Sequence, residues 1–172
     1  MRALTTLVLV ALSVPALAQT KEERAGITNF TRVDAVVACG GGTETAALDG
    51  LKKDGFKAVI NLRMASEPGA DLEKNAARAK ELGLAYISIP FNAQQLDPTV
   101  IDRFLSSIAN KANQPVYVHC GSANRVGSVW LAKRVLQDGW TVEKATEEAK
   151  LIGLRSQPLE QFALDYISTH KK

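Results

Sequence analysis

Cysteine and histidine are scarce in this chain: its 172 residues hold two of each, Cys39 and Cys120, His119 and His170. Two cysteines cannot build a disulfide framework, although an oxidising compartment would allow them to form one bridge. So few cysteines and histidines, scattered along the sequence, offer no metal-ligand spacing, and neither a metal nor a cofactor is expected. An excess of one charge sign is lacking too. The 21 basic and 18 acidic residues leave a formal +3, and they are dispersed rather than clustered, which points away from nucleic acid and from an anionic membrane surface. Beyond the first twenty residues no apolar run is long enough to cross a bilayer. Internal repeats, low-complexity tracts and interdomain linkers are also absent.

What is present begins with MRALTTLVLVALSVPALAQT, in which Arg2 precedes an apolar stretch from Ala3 to Leu17 and small residues flank Leu17. This is the pattern of a secretory signal peptide cut after Ala18. The stretch is broken by Ser13 and Pro15 and is too short for a membrane anchor. The expectation is an exported, periplasmic protein with no stable membrane insertion after cleavage. Residues 1–18 are the signal, 19–31 a charged lead-in without strand or helix periodicity, and 32–172 one domain with a sizeable core.

Within that domain the pattern alternates. VDAVVAC (33–39) is β-prone and stops at three glycines, and the following segment to Gly55 places Ala46, Ala47, Leu48 and Leu51 at helical spacing. FKAVINLR (56–63) reads as a buried strand, 70–83 as a helix closed by Gly83, and LAYISIP (84–90) as a strand. Residues 97–113 predict a helix with Asp97 as N-cap and Pro98 in its first position. PVYVHC (115–120) is the last strand, followed by helices over 126–137, 141–153 and 158–170. Strands alternating with helices predict an α/β fold, a mostly parallel sheet of four to five strands covered on both faces.

In such sheets ligands bind beyond the carboxyl ends of the strands, where loops enter helices. His119-Cys120-Gly121-Ser122-Ala123-Asn124-Arg125 stands at that junction. Small residues let the backbone N–H groups of Gly121, Ser122, Ala123 and Asn124 turn inward as an anion nest, and the next helix adds its positive end. The same field favours the thiolate of Cys120, a nucleophile. Arg125 can grip an oxyanion through two parallel N–H bonds. The partner implied is a small anionic substrate or phosphorylated ligand.

HCGSANRVG resembles the phosphate-binding loop of dual-specificity and tyrosine phosphatases. AVINLR (58–63), SIPFNA (88–93) and GWTVEKATEEAKLIGL (139–154) are similar to the bacterial beta-lactamase-hydrolase-like, phosphatase-like domain family. The resemblance implies a phosphatase-type three-layer domain over 32–172, with Cys120 as nucleophile and Arg125 as oxyanion binder. Three departures stand out. Only four residues separate Cys120 from Arg125 where these phosphatases place five. Val126 occupies the position of a serine or threonine that stabilises the leaving thiolate, for which Ser122 or Ser128 would have to substitute. Asn92 and Ala93 stand where an aspartate acid is expected, leaving Asp97 as the nearest carboxylate, one that first serves as a helix cap.

The leading expectation is therefore a cysteine-dependent phosphatase-like hydrolase of phosphoric monoesters. The short loop keeps open a rhodanese-like sulfurtransferase carrying a Cys120 persulfide, and a non-catalytic anion-binding module is the third reading. His119 is expected to support the loop. Arg63 either points into the pocket or pairs with Glu67 to brace it, and Cys39, ending a strand on the same sheet edge, is core packing unless it pairs with Cys120.

Overall fold

The computed structural model describes residues 19–171; the expected signal peptide lies outside the described residues. Six strands run in the order β1 (Thr20–Arg24), β2 (Ile27–Arg32), β3 (Val37–Gly40), β6 (Val116–His119), β4 (Ala58–Asn61), β5 (Ala85–Ser88). The four strands from β3 to β5 are mutually parallel, while β1 and β2 add on antiparallel. Six α-helices complete the domain: α1 (Ala47–Lys53), α2 (Leu72–Leu82), α3 (Thr99–Ala109), α4 (Asn124–Leu136), α5 (Val142–Ile152) and α6 (Gln157–His170).

Period-two alternation assigns the two faces of the sheet. Val37 and Cys39, Ala58 and Ile60, Val116 and Val118 enter the larger core beneath α3 to α6. Ala38, Val59 and Tyr117, the residues between them, enter the smaller core with Leu48 and Leu51 of α1 and Ala79 of α2. A strand buried on both sides must be apolar throughout, which is why AVI and VYV read as unbroken runs. The helix α4 carries the same logic: from Val126 to Ala132 every residue is buried, because the helix is enclosed by α3, α5 and α6.

The sequence reading needs four corrections. Residues 19–31 are expected as a lead-in without strands, but Thr20–Arg24 and Ile27–Arg32 form the β1–β2 hairpin, so the sheet has six strands rather than four or five. The charged residues obscured a ladder in which Glu22 pairs with Arg24 (3.0 Å) and Arg32 (3.2 Å), and Phe30 turns into the core. The strand expected from Val33 starts only at Val37, because Asp34 Oδ1 accepts the N–H groups of Val36 and Val37 and holds a turn. The helix expected to reach residue 113 ends at Ala109. Asn110 is extended, and its side chain caps a separate 3-10 turn by accepting Ala112 N–H. At the other end of α3 the N-cap is Pro98 rather than the expected Asp97, which stands one residue earlier and accepts Thr99 N–H on Oδ1 at 2.9 Å.

Gly127 lets α4 lie against the end of α5. A Cβ there would sit 2.7 Å from Leu154 Cβ and 2.9 Å from Ala149 O. Gly127→Ala should therefore destabilise the domain by about 1–3 kcal/mol, read as a lower urea midpoint with an unchanged slope.

Candidate active site

The chemistry-bearing residues lie where β6 gives way to α4. β6 is central, and its last residue and the next are tied on both sides: Leu62 N–H donates to His119 O (2.9 Å) and Cys120 N–H to Gly40 O (3.3 Å). Only four residues lead from the strand to the first residue of α4, and Ala123 takes a left-handed conformation (φ 67°) to make the turn. The first N–H groups of α4 have no intrahelical acceptor and stand at the loop.

Two neighbouring segments hold the loop. On one side Gly42 N–H donates to Gly121 O at 2.9 Å. On the other, Asn124 Oδ1 accepts the N–H groups of Arg155 (2.9 Å) and Ser156 (3.2 Å). Gly153 makes this approach possible. Its φ is 150°, and a Cβ there would lie 2.9 Å from Ala123 Cβ and 3.0 Å from Asn29 Nδ2, an amide that donates to Ile152 O at 2.8 Å.

Arg125 points from the first turn of α4 toward the sheet edge. Its Nη1 and Nη2 donate to Glu67 Oε1 and Oε2 at 2.6 and 2.7 Å, and Nη1 also donates to Phe91 O at 2.9 Å. The end-on face of the guanidinium is thereby used. Its Nε side remains, and its positive charge interacts with the Cys120 sulfur. Glu67 is fixed in turn by Met64 N–H (2.7 Å) and Arg63 Nε (3.3 Å). Burial alone would raise its carboxyl, but the bonds from Arg125 and Met64, with the positive charge of Arg125, outweigh it and hold the group at about 2. Arg63 also donates to the carbonyls of Pro68 and Gly69, both at 2.6 Å. Of the two possibilities for Arg63, the structure has the brace.

A cavity of about 480 Å³ opens over the loop, bounded by Ser122, Asn124, Arg125, Glu67, Asn92 and Phe91 among others. Cys120 is fully buried at the strand end behind it. His119 is buried as well, its ring stacked on Tyr117 at 5.6 Å. Burial and the charge of Arg63 lower its pKa to about 4, so it is neutral. Asp97 is elsewhere: it borders an adjacent cavity with Pro90, Leu96 and Pro98. Ser128 Oγ donates to Arg125 O within its own helix at 2.9 Å, and Val126 is buried in the core, so of the two serines only Ser122 faces the cavity.

Cys39 and Cys120 are both free thiols. Cys39 is level with Val118 of β6, two residues short of Cys120. At ordinary strand spacing and rise the two Cα atoms are about 8 Å apart, beyond disulfide reach.

Sequence reasoning brought together Cys120, Arg125 and the loop, and noted Glu67 as a partner of Arg63. It missed the stronger bond from Glu67 to Arg125. Four-residue spacing made Arg63 the visible partner, while Arg125 is 58 residues away. The Asn124 tether to 155–156 carried no sequence signal.

Over residues 11–164 the chain matches the profile of a family described as DSP-PTPase phosphatase fused to NAD+ kinase. Its fold is similar to a DUF442 protein of Shewanella putrefaciens CN-32, with TM-score 0.72 and 17% identity over 86% of this chain and 96% of that one. It is also similar to the core catalytic domain of the PP-IP phosphatase SIW14 of S. cerevisiae, solved with citrate (TM-score 0.69, 19% identity, 84% and 88% covered). A third likeness is to P. aeruginosa TpbA (0.66, 19%, 91% and 92%), a variant of which was solved with pTyr. No curated protein matches the chain.

Glu67 yields a pH prediction. Its folded pKa lies below the ordinary 4.5, so its ionised form stabilises the fold above about pH 5, and the contribution is lost as pH falls through 4.5 toward 2. The side chain is 25% exposed, so solvent screening reduces the effect to about 1–2 kcal/mol. Parent and Glu67→Gln should differ by that amount in urea unfolding at pH 7 and converge near pH 2.

Proposed function

Since the chain belongs to the family of DSP-PTPase phosphatases fused to NAD+ kinase, we propose that Cys120 is the nucleophile and Arg125 the oxyanion binder of this phosphatase-like hydrolase, acting on phosphoric monoesters. The observation that carries the reading is the guanidinium of Arg125, tied end-on to Glu67 in the first turn of the helix that follows Cys120 at a strand-to-helix turn.

The thiolate attacks phosphorus, an S–P bond forms, and the P–O bond to the leaving group breaks. The Nε side of Arg125 and the N–H groups of residues 121–124 hold the phosphoryl oxygens as their charge grows. Water then attacks the phosphocysteine; the S–P bond breaks, phosphate leaves, and the thiolate is restored. Glu67 supports this step by position: the guanidinium cannot rotate while both its Nη atoms are bonded. His119 and Arg63 are positioning residues, the first filling the strand end beneath the loop, the second fixing the turn that carries Glu67.

The four-residue loop favours a second reading, transfer of sulfane sulfur through a Cys120 persulfide. Export to the periplasm through residues 1–18 is part of the proposal. Fractionation and N-terminal sequencing should find a protein beginning at Gln19, and a cytoplasmic full-length chain would refute it.

Reduced protein and its Cys120→Ser variant should be compared on an aryl phosphate and on thiosulfate with cyanide. Phosphate release should fall to background in Cys120→Ser, and Arg125→Lys should lower kcat/KM by about 10²–10³. Cysteine-dependent thiocyanate without phosphate release would select the sulfur-transfer reading instead.

A further inference from the structure

When the P–O bond of a phosphate monoester breaks, the electron pair goes to the departing oxygen. An alkoxide must receive a proton as it leaves, a step in which a positioned acid contributes about 10²–10⁴ in rate. The anion of an acidic phenol or enol needs none.

Among the described residues, the cavity over the loop has no group to supply that proton. Its lining contains two ionisable side chains, Glu67 and Arg125. Glu67 has both oxygens bonded to the guanidinium, and with its carboxyl held well below the usual range by those bonds it is ionised at pH 7. His119 is buried and neutral behind the loop. Asp97 borders the neighbouring cavity and spends an oxygen on Thr99 N–H. The rest of the lining includes Asn92, Ala93 and Gln94, and an amide cannot act as the acid. Asn92 is itself turned back, its Oδ1 accepting Gln94 N–H at 3.0 Å.

The lining also limits the leaving group in a second way. Arg125 is its sole cation and is matched by Glu67, so a leaving group with phosphates of its own would meet no counter-charge. What the lining offers instead is the partly exposed side chain of Met64, set over the buried Phe91 and Leu159.

We propose that the site takes monophosphate esters of acidic aryl or enol hydroxyls, whose leaving groups depart as anions without a protein proton donor, and discriminates against alkyl phosphates. The inference rests on the phosphatase reading above. In the step itself Cys120 sulfur bonds to phosphorus, the aryl or enol oxygen leaves with the electron pair, and it takes its proton from bulk water. A second water then releases phosphate from Cys120.

The test is a series of substituted phenyl phosphates, with phosphoserine as the alkyl case, assayed on the reduced full chain at fixed pH. The expected result is a fall in kcat/KM of about three- to tenfold for each unit rise in the pKa of the departing phenol, and the slowest turnover on phosphoserine. Asn92→Asp, which places a carboxyl in the lining, should raise phenyl phosphate turnover at least about tenfold and flatten the series. A parent enzyme with a flat series, or with phosphoserine as good as the most acidic phenol, overturns the inference while leaving Cys120 chemistry intact. Turnover that persists in Cys120→Ser, or no turnover of any ester by the parent, overturns the phosphatase reading and this inference with it.

Discussion

A guanidinium largely removed from water needs a partner, and the site is organised around how that need is met at Arg125. A buried charge left alone costs several kcal/mol. Glu67 meets it with two bonds and Phe91 O with a third. Glu67 can do so because Met64 N–H and Arg63 hold it, and Arg63 in turn closes the turn at Pro68 and Gly69. A chain of charge-assisted bonds therefore runs from the end of β4 to the start of α4. It fixes the orientation of the one cation in the cavity and leaves the Nε side to the reacting anion.

The loop itself is built with little slack. Four residues carry the chain from Cys120 to the first residue of α4, and a left-handed alanine takes the place of the glycine that such a conformation usually requires. The strain is met by packing from outside: Gly153 against Ala123, Asn124 to the 155–156 backbone, Gly121 to Gly42. The segment after α5, which contains no reactive group, thus holds the geometry of one that does.

Most of the parallel core was legible because its rules are local. AVI and VYV had to be buried strands, Gly83 had to end α2, and Cys120 with Arg125 had to meet at a strand-to-helix turn. What escaped depended on partners distant in sequence. The hairpin of β1 and β2 is stabilised by a charge pair within β1 and one across to β2, residues that look like a solvated tail when read in line. Glu67 next to Arg63 suggested a closed pair, and nothing in the order of residues showed that Arg125 would take the larger share. Asn110 and Asp34 were ordinary polar residues until their side chains were seen to capture backbone N–H groups that a helix or strand would have used.

The hairpin has one more effect. β3 is buried on both faces and leads into the glycines that meet the loop; were it the last strand, its open backbone groups would be a template for another chain. β2 covers them, and β1 closes the sheet with Lys21, Glu22, Glu23 and Arg24 on its rim. Charged side chains along such a border oppose strand addition and amyloid-like growth. The strand densest in charge thus takes the exposed border, and β3, which meets the loop, lies two strands inside it.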